Sequence, residues 1–242
     1  SSIHSIDEEE FRYADLPTYT HAPWYPDCVA FKLPQYAQLV QFIKGFPKLR
    51  VLWCVRDPLD VVASMLSLKL PLSAGGEELS WALHPGCGRR EIFNTFWSFD
   101  VDLRKKYAEH MQKYQRICFR QPAEISRYET VYAASLCWAI KNDIPLNYND
   151  KEIGYLAVKY ERLVTDPRDE IASVLSYIGT DWDENVLRHH KLHSGLSIGK
   201  TENTRQIDKS SIGRGRQLLN ASECEQVAET CRPVAEKWGY MT

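Results

Sequence analysis

Residues 51–66 read Val-Leu-Trp-Cys-Val-Arg-Asp-Pro-Leu-Asp-Val-Val-Ala-Ser-Met-Leu, and this stretch decides the fold. Residues 49–55 form a short, nearly continuous apolar run, the pattern of a strand buried on both faces of a parallel sheet. The run stops at Arg56. Asp57 then predicts a helix N-cap, and Pro58 suits the first helical position, where no N–H is missed. Asp60 sets an acid in the first turn, where the helix dipole favours it. Val61, Val62, Met65, Leu66 and Leu68 follow as one apolar stripe, with Ser64 at its edge. Strand, tight turn and helix make half of a βαβ unit, and ligands of such sheets bind outside the carboxyl ends of the strands. Arg56 stands at that end, and Ser64 lies two turns along the helix.

Working outward, the apolar runs 28–32 and 154–160 predict two more strands. Helical periodicity covers residues 36–45, 91–116 and 122–142. Asp166-Pro167 opens another helix with the same cap chemistry as Asp57-Pro58, and Ser222-x-x-Glu225 starts a last one as a capping box. Residues 70–90 carry the breakers Pro71, Gly75, Gly76, Pro85, Gly86 and Gly88 and read as an irregular loop. Trp81 and His84 are the residues there that could meet a substrate. Residues 1–20 are polar and acidic and read as a loosely held lead-in. The expected architecture is α/β: a mainly parallel sheet with helices on both faces, in a single domain over residues 1–242.

Composition narrows the function classes. The 242 residues contain no Pro/Gly/Ser-rich linker or repeat, and 44% are hydrophobic, ample for one core. A formal net charge of -2 argues against bulk attraction to nucleic acid or to an anionic membrane. No apolar run approaches the length of a membrane span, and Ser1 begins no signal peptide. The seven cysteines make no CxxC pair and several sit inside apolar runs, which reads as buried free thiols in a reducing, cytoplasmic setting. His189, His190 and His193 have no Cys or carboxylate beside them at zinc-ligand spacing, so no metal is expected. The absence of G-x-x-x-x-G-K-[ST] argues against a phosphate-loop NTPase.

Arg56-Asp57-Pro58 with Ser64 eight residues after the Arg closely resembles the 3′-phosphate-binding segment of sulfotransferases, which use 3′-phosphoadenosine 5′-phosphosulfate (PAPS). The resemblance implies that Arg56 and Ser64 hold the donor's 3′-phosphate. The chemistry suits it, since a guanidinium fork grips phosphate oxygens bidentately and a hydroxyl adds one bond. Taken singly, each also has a plain reading: Arg56 paired with a nearby acid, Ser64 on ordinary helix surface.

Other stretches share the likeness. A Lys-bearing strand, a helix and the Phe46-Pro47 turn precede the Arg-Asp-Pro segment, as in the family. This implies that Lys32 lies by the transferring group and stabilises the leaving phosphate, the alternative being a solvated lysine at a strand end. Pro34 stands where many members carry a His as general base, so the base is unassigned, with His84 a first guess. Trp138 and Asn142 resemble a Trp-then-Asn pattern of bacterial-type members, although core packing explains Trp138 equally well. Tyr160-Glu161-x-Leu163 followed by Asp166-Pro167 is similar to the segment whose Tyr lies by the adenine; a half-buried core tyrosine is the rival reading.

Residues 209–216, Lys-Ser-Ser-Ile-Gly-Arg-Gly-Arg, resemble the basic loop that closes over the 3′-phosphate. That implies Lys209, Ser210 and Arg214 as further phosphate ligands, against the alternative of a flexible basic loop. Gly215 occupies the place of a family Trp. The family's N-terminal turn rich in Gly, Ser and Thr has no counterpart in residues 1–31, so the likeness covers about residues 29–240, and the expectation is a chain that begins after that element. The implied function is sulfuryl transfer from PAPS to a hydroxyl or amine on a small-molecule or glycan acceptor. The runner-up is a non-catalytic nucleotide-binding or interaction domain on the same fold.

Overall fold

The computed structural model describes residues 3–6, 28–31, 50–73, 76–147, 154–192 and 205–240. Its strands are β1 (Ile3–Ile6), β2 (Cys28–Phe31), β3 (Val51–Val55), β4 (Lys69–Pro71), β5 (Glu78–Ser80) and β6 (Tyr155–Lys159). Its α-helices are α1 (Pro58–Ser67), α2 (Arg90–Ser98), α3 (Val101–Cys118), α4 (Arg127–Asp143), α5 (Tyr160–Thr165) and α6 (Pro167–Ile178), followed by α7 (His189–Leu192), α8 (Gly215–Leu218) and α9 (Ala221–Ala235). The fold is mixed α/β.

Strands β3 and β6 pair in parallel with Val55 opposite Lys159, so the next residues of each, Arg56 and Tyr160, leave the sheet side by side. The third expected strand behaves differently. Among the described residues β2 pairs with β1, in parallel, rather than with β3. Residues 3–6, read from sequence as part of a loose lead-in, supply that partner strand. Lys32, Pro34 and the helical stretch 36–45 lie outside the described residues.

The burial of β3 corrects another expectation. Trp53 and Val55 are buried, whereas Leu52 and Cys54 are exposed, so one face of the strand is covered and not both. The covered face meets α1 and α4. Helix α4 is the centre of the core: residues 131–140 are all buried, which requires a helix apolar around its whole circumference. Ser126 caps it through a reciprocal bond with Glu129. Helix α9 packs along it, with Cys231 Sγ donating to Ser135 O.

Four local expectations change. The single helix read over 91–116 divides at Phe99–Asp100, because Asp100 Oδ1 accepts the N–H groups of Asp102 and Leu103 at 3.0 and 2.9 Å and starts a new helix. The stretch read as an irregular loop carries regular structure: β4 pairs antiparallel with β5, and a tight turn over Pro85–Arg89 leads into α2. The last helix is capped by Asn220 with Glu223, two residues before the expected box, since Ser222 Oγ donates to Asn220 Oδ1 and makes no cap bond. Asp166 makes no side-chain cap, unlike Asp57, whose Oδ1 accepts Leu59 N–H at 2.8 Å. Cys118, Cys137 and Cys231 are buried free thiols, while Cys54 is an exposed one. No helix among the described residues is long and apolar enough to cross a membrane.

Candidate functional site

The turn after β3 is fixed from below by two tryptophans and an asparagine. Trp138 Nε1 donates to the carbonyl oxygen of Arg56 at 3.0 Å. One turn further along α4, Asn142 donates to Trp138 O at 2.8 Å, and its side-chain oxygen accepts from Trp53 Nε1 at 3.2 Å. The Trp-then-Asn pair noticed in the sequence therefore props up the arginine turn. Glu161, in the first turn of α5, joins the two strand ends: it accepts Asp57 N–H at 2.8 Å and the Tyr240 hydroxyl at 2.7 Å. Burial raises Tyr240 well above the ordinary phenol value, with Glu161 adding to it. Burial also raises Asp57 above the ordinary carboxylate value, offset in part by the Leu59 N–H it accepts.

Arg56 reaches out from this platform. Its guanidinium carbon lies 4.4 Å from the centroid of the Tyr160 ring, and its Nη2 pairs with Asp60 Oδ2 at 3.3 Å and donates to Ser211 O. Its Nε is buried with no partner among the described residues. Asp60 is the residue that sequence reading missed. Its carboxylate, 1% exposed, accepts Gly213 N–H at 3.0 Å and Gly215 N–H at 2.6 Å, pinning the 209–215 loop onto the first turn of α1. The spacing hinted only at its pairing with Arg56: Asp60 lies four residues on from Arg56, which stands just ahead of the helix, and says nothing of Gly213 and Gly215. Gly213 has φ 71°, the left-handed region that glycine adopts without strain.

The structure brings Arg56, Tyr160 and the 209–215 loop together. Ser64 is exposed on α1, one turn beyond Asp60. Lys209, Ser210 and Arg214 are exposed on the loop. Ser210 accepts from Arg205 through its hydroxyl and donates its N–H to Asp208 at 2.8 Å; the Ser210 hydroxyl and the Arg205 guanidinium hold the Asp208 carboxyl at about 2. His84 lies on the turn after β5, with Nδ1 accepting Gly86 N–H and Nε2 at 3.2 Å from Pro71 O. An Nδ1 that accepts leaves the proton on Nε2, so both nitrogens are engaged. Chemically the Arg56 cluster offers a fixed cation with open donor capacity, an aromatic face and an adjoining loop that carries two exposed basic residues, Lys209 and Arg214.

No protein-family model matches this sequence, and no curated protein matches it. Among solved structures, one similar to this chain is a sulfotransferase domain from the curacin biosynthetic pathway, at 15% identity and a TM-score of 0.47. The similarity covers 91% of this chain and 64% of that one, so this chain spans less than two thirds of its length.

Proposed function

We propose that the chain binds PAPS and transfers its sulfuryl group to a hydroxyl or amine acceptor. In this reading Arg56, Ser64, Lys209, Ser210 and Arg214 hold the 3′-phosphate, Tyr160 stands by the adenine, and Lys32 assists the leaving phosphate. The observation that carries it is the Arg56 guanidinium, held at the carboxyl end of a parallel strand with a buried Nε that no described residue satisfies. Unpaired buried donors are rare and cost about 1–3 kcal/mol, and a phosphate oxygen at Nε would remove that penalty. The negative charge developing on the bridging oxygen calls for donors placed there before reaction. The 3′-phosphate is remote from that oxygen, so Arg56 supplies binding and orientation. For His84 to act as a base, its Nδ1 lone pair would first have to leave the Gly86 N–H.

A second reading, a non-catalytic domain in which Arg56 is structural, is favoured by the Asp60–Arg56 pair and the exposure of Ser64. Calorimetric titration with 3′-phosphoadenosine 5′-phosphate and with 5′-AMP separates them. The first reading expects the bisphosphate to bind more tightly, and Arg56→Ala to cost on the order of 2–4 kcal/mol for it and little for 5′-AMP. Equal affinities, or an Arg56→Ala chain that titrates unchanged, would establish the second.

A further inference from the structure

The peptide that joins Arg56 to Asp57 is held at both ends. Its carbonyl oxygen accepts the Trp138 indole N–H at 3.0 Å, and its N–H donates to Glu161 Oε1 at 2.8 Å. These two bonds use both hydrogen-bonding groups that the peptide has. They come from different parts of the fold, Trp138 from the buried helix α4 and Glu161 from the first turn of α5. A peptide unit is planar, so holding its two ends fixes the plane, and with it the direction in which Arg56 sends its side chain.

Register puts Glu161 there. One step past the last ladder pair, Val55 with Lys159, Arg56 falls beside Tyr160; one step further, Asp57 falls beside Glu161. The second Glu161 oxygen is also engaged: Oε2 accepts the Tyr240 hydroxyl at 2.7 Å, and that hydroxyl lies 3.4 Å from Val55 O. The negative charge itself does the turn no service. Burial raises the Asp57 carboxyl, and repulsion from Asp60 and then from Glu161 adds to this. What the turn gains from Glu161 is an acceptor for its N–H.

We propose that Glu161 is a positioning residue for the Arg56 anion site. As an acceptor, and not as a charge, it sets the Arg56–Asp57 peptide so that the guanidinium meets the 3′-phosphate, and it ties the arginine turn to the tyrosine turn. The inference rests on the bisphosphate-binding reading given above, in which Glu161 itself touches neither phosphate nor adenine. A carboxylate working as an acid, a base or a counter-charge would need its ionised form; a positioning acceptor does not.

The test compares Glu161→Ala with Glu161→Gln in the whole chain. Calorimetric titration with 3′-phosphoadenosine 5′-phosphate and with 5′-AMP is one readout, and amide exchange of the Asp57 N–H without ligand is the other. Glu161→Ala should bind the bisphosphate about tenfold more weakly, the factor one charge-assisted hydrogen bond can carry, and should exchange the Asp57 N–H faster. Glu161→Gln should stay within about twofold of the parent in affinity. Its carboxamide oxygen accepts the Asp57 N–H, and its NH₂ donates to the Tyr240 oxygen, which releases the hydroxyl proton to Val55 O. Tyr240→Phe, which removes the partner of Oε2 alone, is the milder second variant and should weaken the bisphosphate in the same direction. Equal losses in Glu161→Ala and Glu161→Gln would overturn the proposal in favour of the charge. A parent that prefers the bisphosphate while Glu161→Ala and Tyr240→Phe bind it unchanged overturns this inference alone. A parent that binds both nucleotides equally overturns it together with the reading beneath it.

Discussion

Asp60 and Gly215 are separated by 155 residues in sequence, yet Asp60 Oδ1 accepts the Gly215 N–H at 2.6 Å. The contact is close because Gly215 has no side chain: a Cβ there would lie 2.3 Å from the Leu59 carbonyl carbon and 2.6 Å from Asp60 N. Backbone cannot yield as a side-chain tip can. Gly215→Ala should therefore destabilise by at least the ~1–3 kcal/mol typical of overpacking, and the bulkier Gly215→Trp should do no better. Gly154→Ala is the control, since no described residue lies within 4 Å of a Cβ at that position. Urea unfolding of the three variants decides the point, and equal midpoints for Gly215→Ala and Gly154→Ala would refute it.

The Asp60 carboxylate accepts two loop N–H groups, one on each oxygen. Asn has one acceptor oxygen and turns an NH₂ toward the second N–H. Asp60→Asn should cost about 1–3 kcal/mol through the donor left unpaired. It should also free the loop over residues 209–214, seen as faster proteolysis at Lys209 or Arg214. A loop cleaved no faster than in the parent would mean that Asp60 does not hold it.

Trp138→Phe keeps most of the buried ring and removes the N–H that holds Arg56 O. A loss of about 1–3 kcal/mol is expected from the unsatisfied carbonyl, with a smaller packing contribution. If the turn positions Arg56 for phosphate, affinity for 3′-phosphoadenosine 5′-phosphate should fall as well, although Trp138 is 82 residues from Arg56 in sequence. Loss of stability with unchanged affinity would confine Trp138 to packing.

His110 gives a pH dependence with a definite sign. Burial holds its ring below the ordinary imidazole value, and the Lys113 charge adds to this, against Glu109 and Glu229, which raise it. The unfolded chain therefore takes up the proton first as pH falls. The stability contributed by the neutral ring is complete above roughly pH 6.5 and is lost as pH falls from there through the folded pKa. Unfolding free energies between about pH 7 and pH 5 should decline more steeply in the parent than in His110→Asn. Parallel curves would count against the assignment.

The β3–turn–α1 unit could be read from sequence because its signals are local: an apolar run, Asp57 in cap position and Pro58 behind it. Arg56 and Tyr160 were legible together because both close parallel strands. The pairing of β2 with β1 was not, since Ile3–Ile6 is four residues long and nothing local tells a short strand which partner it will take. Nor was the one-sided burial of β3, because the uncovered side carries Leu52 and Cys54, as apolar as the covered one. Asp60 was read only as an acid suited to a helix start. Its task depends on Gly213 and Gly215, which folding brings to it from the far end of the chain, and helix periodicity carries no such information.

The turn at Arg56 also has a history during synthesis. Its carbonyl waits for Trp138, the neighbouring Asp57 N–H waits for Glu161, and Val55 O is met by the Tyr240 hydroxyl at 3.4 Å across 185 residues. At translation rates of about 5–20 residues per second, that last partner emerges roughly 10–40 s after the turn itself. Until then the nascent chain displays an arginine, two aspartates and an apolar strand edge without the groups that complete them. The finished turn is therefore a mark of a chain made at least as far as Tyr240: a product that stops short of that residue would carry the motif but not its geometry.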